Sequence, residues 1–216
     1  DEAIALYKYA SGLKGITLMG LHAYDGHLRN ANITEREKEC NEGFAGVEKM
    51  KKELEKAGYA VPVVIAGGSL SFPIHAKRKD VESSPGTFIY WDKGYTDLCP
   101  EQNFLPAAVL VTRVISLPSA TRITTDLGHK SVGAENEISK RVYFMNADTL
   151  KPVGQSEEHL VLEVQENHSY KIGDIFYGLP YHVCPTVALY ERVYTIENGK
   201  VSGEWKTIAR DRKLQY

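Results

Sequence analysis

The pattern of apolar and turn residues changes near Pro106, and this change constrains the fold more than any other feature of the chain. Before it, apolar runs at Ile16–Leu21 and Val61–Ala66 are separated by a long charged segment. Alternating strands and helices are typical of parallel strands joined by crossover helices, and near-continuous apolar strands fit a sheet covered on both faces. We therefore predict an α/β region before Pro106 and a different architecture after it.

Residues 1–105 are predicted to contain helices at Glu2–Leu13 and at about Thr34–Ala57, the second one capped by Thr34. The predicted strands are Ile16–Leu21, Val61–Ala66 and Phe88–Asp92. Three strands with their helices supply less than half of a closed eight-stranded barrel of about 250 residues. We therefore expect a partial (β/α)8 barrel of about three βα units.

Residues 106–216 read as an antiparallel β-domain, a sandwich or a barrel, because short runs rich in Val, Ile, Thr and Tyr are separated by turn residues. The predicted strands are Ala107–Ser116, Arg122–Thr125, Arg141–Met145, Glu158–Gln165, Val187–Ile196 and Trp205–Ile208. Asn198-Gly199, between apolar residues, predicts a hairpin turn.

Charge and hydropathy exclude several partners. The net charge is −2 and no basic run occurs, so we expect no nucleic-acid partner. The longest apolar stretches fall far short of the roughly 20 residues that span a bilayer, and no signal peptide is recognised, so we expect no membrane partner and a cytoplasmic protein. Three cysteines at irregular spacing indicate reduced thiols.

His182 and Cys184 lie two residues apart between Pro180 and Pro185. In an extended segment residues i and i+2 point to the same side, so the imidazole and the thiol are expected to grip one cation. Nitrogen and sulfur ligands suit zinc, and two protein ligands leave positions open for water or substrate, as in catalytic metal sites. The alternative is a packed thiol beside an ordinary histidine.

Gly67-Gly68-Ser69 follows the predicted strand Val61–Ala66. Backbone amides without side-chain bulk can point at a phosphate, and the serine hydroxyl can add a donor. The alternative is a plain turn between two elements.

Six short motifs occur along nearly the whole chain: Gly20-Leu21-His22-Ala23-Tyr24-Asp25-Gly26-His27, Gly67-Gly68-Ser69, Ser84-Pro85-Gly86-Thr87, Asp126-Leu127-Gly128-His129-Lys130, Ser156-Glu157-Glu158-His159 and His182-Val183-Cys184-Pro185-Thr186. Together they resemble the C-terminal half of the D-threonine aldolase and D-serine dehydratase family. The resemblance implies a fold-type III pyridoxal-phosphate enzyme, with an alanine-racemase-like barrel followed by a β-domain. It also implies a homodimer in which the β-domain of one chain faces the barrel mouth of the other.

The resemblance implies roles for individual residues. It places the cofactor phosphate at Gly67, Gly68 and Ser69, the Tyr24 hydroxyl near the pyridoxal ring, and zinc or manganese on His182 and Cys184. His27 is the candidate general base, because histidine titrates near neutral pH, and its alternative is a solvated loop histidine. His22, like Tyr24 and His27, lies beyond a strand end and could also face the cofactor. Asp126, His129 and Lys130 are candidates for supporting the site or contacting a dimer partner, with a polar turn as the alternative. Glu157 and His159 are motif members without an assigned task, and exposed positions on a strand would explain them.

One feature of the family is missing. Its Schiff-base lysine lies on the first barrel strand, and nothing in this chain corresponds to it. Lys14, Lys77 and Lys130 are poor substitutes, because a catalytic amine needs burial or a cationic neighbour. We therefore expect the 216 residues to be part of a longer enzyme and to be inactive alone.

The implied reaction is that of a lyase acting on β-hydroxy D-amino acids. Pyridoxal phosphate stabilises a carbanion at the α-carbon, and the metal coordinates the β-hydroxyl. We favour retro-aldol cleavage of D-threonine to glycine and an aldehyde. The alternatives are dehydration of D-serine to pyruvate and ammonia, an alanine-racemase-like isomerase that needs no metal, and a non-catalytic fragment.

Overall fold

The computed structural model describes residues 2–214 and divides into two compact units. The first unit comprises the chain up to Phe88 together with Leu98–Asn103. The second comprises Ile89–Asp97 together with the chain from Phe104 onward. The domain roles expected for residues 1–105 and 106–216 stay predictions.

The first unit is an α/β structure with three parallel strands in the order β1-β2-β3. Its elements are α1 (Glu2–Ser11), β1 (Gly20–Ala23), α2 (Ile33–Lys56), β2 (Val63–Ala66), α3 (Phe72–His75) and β3 (Glu82–Ser83). Apolar side chains of the helices and of the β2 region form its main core: Tyr7, Phe44, Leu54, Val61, Val64 and Ala66. The parallel arrangement therefore agrees with the apolar pattern of the sequence.

Three details of the first unit differ from the prediction. Strand β1 is Gly20–Ala23, four residues later than the start of the predicted strand Ile16–Leu21. Helix α2 is capped by Asn32 rather than Thr34, because the Asn32 side chain accepts from the amides of Thr34 and Glu35. The third strand is Glu82–Ser83, and the predicted strand Phe88–Asp92 is wrong.

The segment after Phe88 cannot be extended, because Trp91 has a φ of 53°. The Asp92 carboxylate then accepts from the Tyr95 amide at 2.8 Å, at the start of the short helix α4 (Lys93–Leu98). These two residues turn the chain into a helix where the sequence pattern suggested a strand.

The second unit contains a six-stranded antiparallel sheet in the order β6-β9-β4-β5-β8-β7 and a separate hairpin of β10 and β11. Its elements are β4 (Leu110–Ser119), β5 (Arg122–Thr125), β6 (Val142–Phe144), β7 (Lys151–Gln155), β8 (Leu160–Glu163), β9 (Ile175–Pro180), α5 (Val183–Ala188), β10 (Arg192–Glu197) and β11 (Lys200–Lys206). Buried residues alternate with exposed ones along β4, as in a sheet with one covered face. The antiparallel β-region predicted after Pro106 is present.

The sheet buries one contiguous apolar core: Leu110, Val114, Ile123, Leu127, Val132, Val142, Phe144, Ala147, Leu150, Leu160, Leu162, Val164 and Phe176. Burying a Val, Leu, Ile or Phe side chain contributes about 1.5–3 kcal/mol. This core therefore holds the strands of the six-stranded sheet together.

The hairpin turn at Asn198-Gly199 is confirmed. Both residues have positive φ, 51° and 73°, as a two-residue turn of type I′ requires. Three other predictions differ from the structure. Val187–Ile196 begins in helix α5 rather than in a strand, and the last strand is Lys200–Lys206 rather than Trp205–Ile208. Strands β7 and β9 lie in segments not predicted as strands.

Strands β7 and β9 escape prediction because they contain proline and glycine, which disfavour strands in isolation. Pro152 and Gly154 nevertheless pair with β8, and Gly178 pairs with β4. Gly178 is required there, because an added Cβ would lie 2.5 Å from a Val142 methyl group. Within residues 2–214, no helix combines the length and apolarity that crossing a bilayer demands.

Candidate functional site

His182 and Cys184 do not lie on an extended ribbon. His182 has extended backbone angles, but it is the N-cap residue of α5, and Cys184 lies in the first turn of that helix. Pro185 is tolerated there because the amides of a first helical turn have no intrahelical acceptor. The Thr186 hydroxyl donates to the His182 carbonyl at 2.8 Å and closes the turn. The predicted alternation of side chains therefore does not apply.

The two side chains meet nevertheless, around the turn rather than along a strand. Cys184 is hydrogen-bonded to the His182 side chain, and the Glu135 carboxylate contacts His182 Nδ1. The hydrogen bond with Cys184 raises the pKa of His182 to about 9; burial opposes the rise and Glu135 adds to it. The His182 side chain thus contacts both a sulfur and a carboxylate.

The backbone of this turn is held by a buried carboxylate. Asp92 is 1% exposed, and its second oxygen accepts from the Val183 amide at 3.0 Å. Burial raises the pKa of Asp92, against the hydrogen bonds from the amides of Tyr95 and Val183. The residue next to His182 is therefore fixed by a group distant in sequence.

Glu135 was not predicted as a site residue. It lies 47 residues before His182, outside the six motifs, and no local spacing signals it. Its loop packs against α5, because the Gly133 amide donates to the Thr186 hydroxyl at 3.0 Å. A Cβ at Gly133 would lie 2.7 Å from Pro185 Cγ and 3.0 Å from a Glu135 oxygen. Only glycine permits this close approach without a shift of its neighbours.

The glycine-rich turn of the first unit is buried. The Gly67 amide donates to the Ala23 carbonyl at 2.9 Å, and the Gly68 amide donates to Ser71 Oγ at 3.2 Å. Ser69 Oγ accepts from the Thr87 amide at 3.0 Å. Both glycine amides thus serve internal hydrogen bonds, and of the three predicted donors Ser69 keeps a hydroxyl proton to donate.

Tyr24 lies against this turn. A Cβ added at Gly68 would come within 3.0 Å of the Tyr24 ring, while the ring itself is 73% exposed. The structure therefore brings together Tyr24 and Gly68, two of the predicted cofactor residues. His27 is exposed in the loop that follows β1, and His22 is exposed on β1.

A network of polar side chains supports the turn from inside. Ser71 Oγ donates to one Asp25 oxygen at 2.6 Å, and His75 Nε2 lies 2.9 Å from the other. Cys40 Sγ lies 3.3 Å from the same ring nitrogen. Burial alone would raise the pKa of Asp25, and the bonds from His75 and Ser71 outweigh it, so this pKa lies below its usual value. The network ties Asp25 of one motif to the glycine turn of the next.

Asp25, Cys40 and His75 also have the composition of a metal site, with ligand atoms within 4.8 Å of one another. The protonation pattern argues against that role. Arg78 Nε donates to His75 Nδ1 at 3.3 Å, so Nε2 carries the ring hydrogen, whereas a ligating nitrogen needs its lone pair free. Burial and the Asp25 charge raise the pKa of Cys40 to about 11, so a cation at this cluster would have to displace the thiol proton as well. We interpret the cluster as an internal hydrogen-bond network.

The remaining motif members lie in surface contacts of the second unit. Asp126 accepts from the Thr112 hydroxyl at 2.7 Å and from the Arg113 amide at 3.0 Å, and these bonds outweigh burial and keep its pKa low. Lys130 pairs with Glu157 and Glu158. His129 and His159 are exposed. These contacts join the turns on which the motifs lie.

A cavity of about 550 Å³ in the second unit, lined by residues that include Arg122, Glu163 and His168, contains none of the predicted site residues. Its volume alone does not make it a candidate site.

Comparisons of the sequence with known proteins agree with the motifs. A family model described as a putative serine dehydratase domain matches residues 107–196, which include Glu135, His182 and Cys184. A D-threonine aldolase of an Arthrobacter species is 25% identical over 217 residues, covering 97% of this chain and 56% of the relative. A 3-hydroxy-D-aspartate aldolase of Paracoccus denitrificans (strain Pd 1222) is 23% identical over 221 residues, covering 98% of this chain and 56% of the relative. The chain thus spans a little over half the length of these curated relatives.

Solved structures share the fold. A D-threonine aldolase from Filomicrobium marinum superposes with a TM-score of 0.86 at 22% identity, covering 97% of this chain and 58% of that one. A D-threo-3-hydroxyaspartate dehydratase from Delftia sp. HT23 superposes with a TM-score of 0.74 at 18% identity. The match covers 89% of this chain and 56% of the dehydratase. An alanine racemase from Clostridium difficile 630 superposes with a TM-score of 0.60 at 14% identity. The match covers 95% of this chain and 64% of the racemase. The fold is therefore of the alanine-racemase-like type.

Two further structures are variants of a D-threo-3-hydroxyaspartate dehydratase. One has a histidine replaced by alanine, and the other, in the metal-free form, has a cysteine replaced by alanine two positions further on. His182 and Cys184 have the same spacing in this chain. The resemblance of the chain to the D-threonine aldolase and D-serine dehydratase family, inferred from its motifs, is confirmed by these matches.

Proposed function

We propose that this chain carries the metal-binding part of a pyridoxal-phosphate-dependent lyase that acts on β-hydroxy D-amino acids. The observation that carries the proposal is the contact between His182 and Cys184, within the range that matches the serine dehydratase domain. Aldolases and a dehydratase of hydroxylated D-amino acids among the relatives support the same substrate class.

The donor set fits a divalent cation. Thiolate and neutral imidazole are zinc ligands, and the exposed Cys184 and the His182 side chain, 42% exposed, leave room for water and substrate on the cation. The raised pKa of His182 keeps the imidazole protonated at neutral pH without the cation, so binding releases that proton. We propose zinc or manganese at His182 and Cys184.

The first unit provides residues that fit the other cofactor. Tyr24 would face the coenzyme ring, and Ser69 Oγ would donate to its phosphate at the turn of Gly67, Gly68 and Ser69, whose two glycine amides are already bonded within the protein. His27 would move a proton at the substrate. The three parallel strands would be part of a (β/α)8 barrel. When bound, the coenzyme supplies an electron sink for the α-carbon, and the cation polarises the β-hydroxyl oxygen.

Retro-aldol cleavage of D-threonine to glycine and an aldehyde is the reaction we favour, because both curated relatives are aldolases. Dehydration of D-serine to pyruvate and ammonia is the second candidate, and the serine dehydratase domain match and the cysteine ligand favour it. A homodimer and a cytoplasmic location, expected from the sequence, remain part of the proposal.

The test uses the complete gene product, reconstituted with pyridoxal phosphate and manganese or zinc. We expect turnover of D-threonine or D-serine that a chelator abolishes and added metal restores. His182→Ala and Cys184→Ala should lower both metal content and kcat, whereas His168→Ala, a control in the same unit, should leave both unchanged. Full activity in metal-free protein, or in His182→Ala, would overturn the proposal.

A further inference from the structure

Glu135 is in contact with the candidate metal ligand without belonging to any motif of the family. Its carboxylate oxygen Oε1 pairs with Nδ1 of His182, and the two side chains are 43% and 42% exposed. An ion pair this exposed adds at most about 1 kcal/mol to the stability of a fold. From this position Glu135 can act on the His182 ring itself, by fixing its orientation and the nitrogen that carries the hydrogen.

The pairing determines which ring nitrogen is available to a cation. A carboxylate at Nδ1 holds the hydrogen on that nitrogen, so the proton released when a cation binds comes from Nε2, which then offers its lone pair. Metal-ligating histidines usually donate their other ring N–H to a carboxylate, a carbonyl or water, and the carboxylate makes the ligating nitrogen more basic. His75 in the first unit shows the opposite arrangement, because an arginine donates to its Nδ1.

The loop that carries Glu135 is anchored on both sides. The Gly133 amide donates to the Thr186 hydroxyl at 3.0 Å, and Arg141 Nε donates to the Asn136 carbonyl at 2.8 Å. Thr186 Oγ1 in turn donates to the His182 carbonyl at 2.8 Å. Glu135 is thus held at a constant place relative to the imidazole by contacts that include His182's own backbone.

We propose that Glu135 is a positioning residue for a divalent cation: it holds the Nδ1–H of His182 and so presents Nε2 to the cation beside the Cys184 sulfur. The inference rests on the proposed function, because it takes His182 and Cys184 as the ligands. Glu135 itself does not ligate the cation. It acts through His182.

The test is a titration with cobalt(II), whose thiolate absorption band reports the Cys184 bond, against a competing chelator. Glu135→Ala should weaken cobalt(II) binding about 100-fold and Glu135→Gln, which keeps an acceptor oxygen, about 10-fold, because loss of such outer partners costs 10–100-fold in metal affinity. Glu137→Gln is the matched control, since Glu137 lies two residues on and its exposed side chain interacts with Lys140 and Ser139. It should bind as the unaltered protein does.

The saturated spectrum separates positioning from ligation. Because the ligands are unchanged, the Glu135 variants at saturating cobalt(II) should show the spectrum of the unaltered protein, with an unchanged circular dichroism spectrum and Tm. A different saturated spectrum would mean that Glu135 is a ligand and would overturn the inference, as would cobalt(II) affinities equal to that of Glu137→Gln. If His182→Ala or Cys184→Ala binds cobalt(II) normally, the proposed metal site itself fails.

Discussion

Replacing Asp92 with asparagine tests whether the turn that carries His182 is held from a distance. The Asp92 carboxylate accepts from two backbone amides, those of Tyr95 at 2.8 Å and Val183 at 3.0 Å. It thereby joins the start of α4 to the start of α5, since Asp92 and Val183 are 91 residues apart in the sequence. Asparagine has the same shape but only one acceptor oxygen.

The expected loss follows from two opposing effects. In the variant one amide faces an NH2 group and stays unpaired, which costs about 1–3 kcal/mol for a buried donor. Burial raises the pKa of Asp92, so its ionised form is itself unfavourable in the folded state, and asparagine removes that cost. This relief offsets only part of the loss, because the hydrogen bonds from the Tyr95 and Val183 amides already counteract part of the burial cost. We therefore expect a net loss in the lower part of that range, about 1–2 kcal/mol.

The free energy of unfolding is measured by urea denaturation at neutral pH and at mildly acidic pH. Because the folded pKa is raised, the unaltered protein loses stability as pH rises from 3.8 through that higher value, and Asp92→Asn should lack this part of the slope. Asp97→Asn, which removes the pair between the half-exposed Asp97 and Lys93, is the control and should change stability less than Asp92→Asn does. An Asp92→Asn protein as stable as the unaltered one at neutral pH would refute the reasoning.

Three further changes have definite expected outcomes. Gly128→Ala places a Cβ 2.0 Å from the Glu157 carbonyl oxygen and should lower the free energy of unfolding by about 3 kcal/mol in urea. Gly46 lies in α2, and no atom lies within 4 Å of the methyl group that alanine would add. Gly46→Ala should therefore raise the free energy of unfolding by about 0.5–1 kcal/mol, and a decrease would mean that the new methyl group does not fit there. Asp25→Asn should cost about 1–3 kcal/mol at neutral pH. The lowered pKa of Asp25 adds stability above 3.8 that is lost as pH falls through the folded value, so an acid titration followed by circular dichroism should lose that component in the variant.

Local sequence signals were sufficient where the structure depends on neighbouring residues. The Asn198-Gly199 turn was predictable because two adjacent residues with positive φ are enough to reverse the chain. Helix α2 was predictable because its length and its turn residues mark both ends within two residues. Strand β9 was not, because Gly178 and Pro180 are placed in the sheet by pairing with β4 and β6.

Some features of the candidate site are visible in the sequence, and others depend on contacts between distant residues. The residue types of a metal pair, His182 and Cys184, are visible in the sequence, but the helical turn that brings their side chains together was not. That turn depends on Asp92 and on Thr186, which hold the backbone through hydrogen bonds. Glu135 carries no sequence signal, because its contact with His182 exists only after the sheet has formed.

The sequence by itself determined the two architectures, the family resemblance and the candidate ligand pair, because apolar periodicity, turn chemistry and motif order are properties of neighbouring residues. Only the tertiary structure decided that Asp92 fixes the turn, that Glu135 faces the imidazole, and that the Gly67 and Gly68 amides are already bonded within the protein. Such pairings join residues that are distant along the chain. Their partners are chosen by packing of the whole unit rather than by any local pattern.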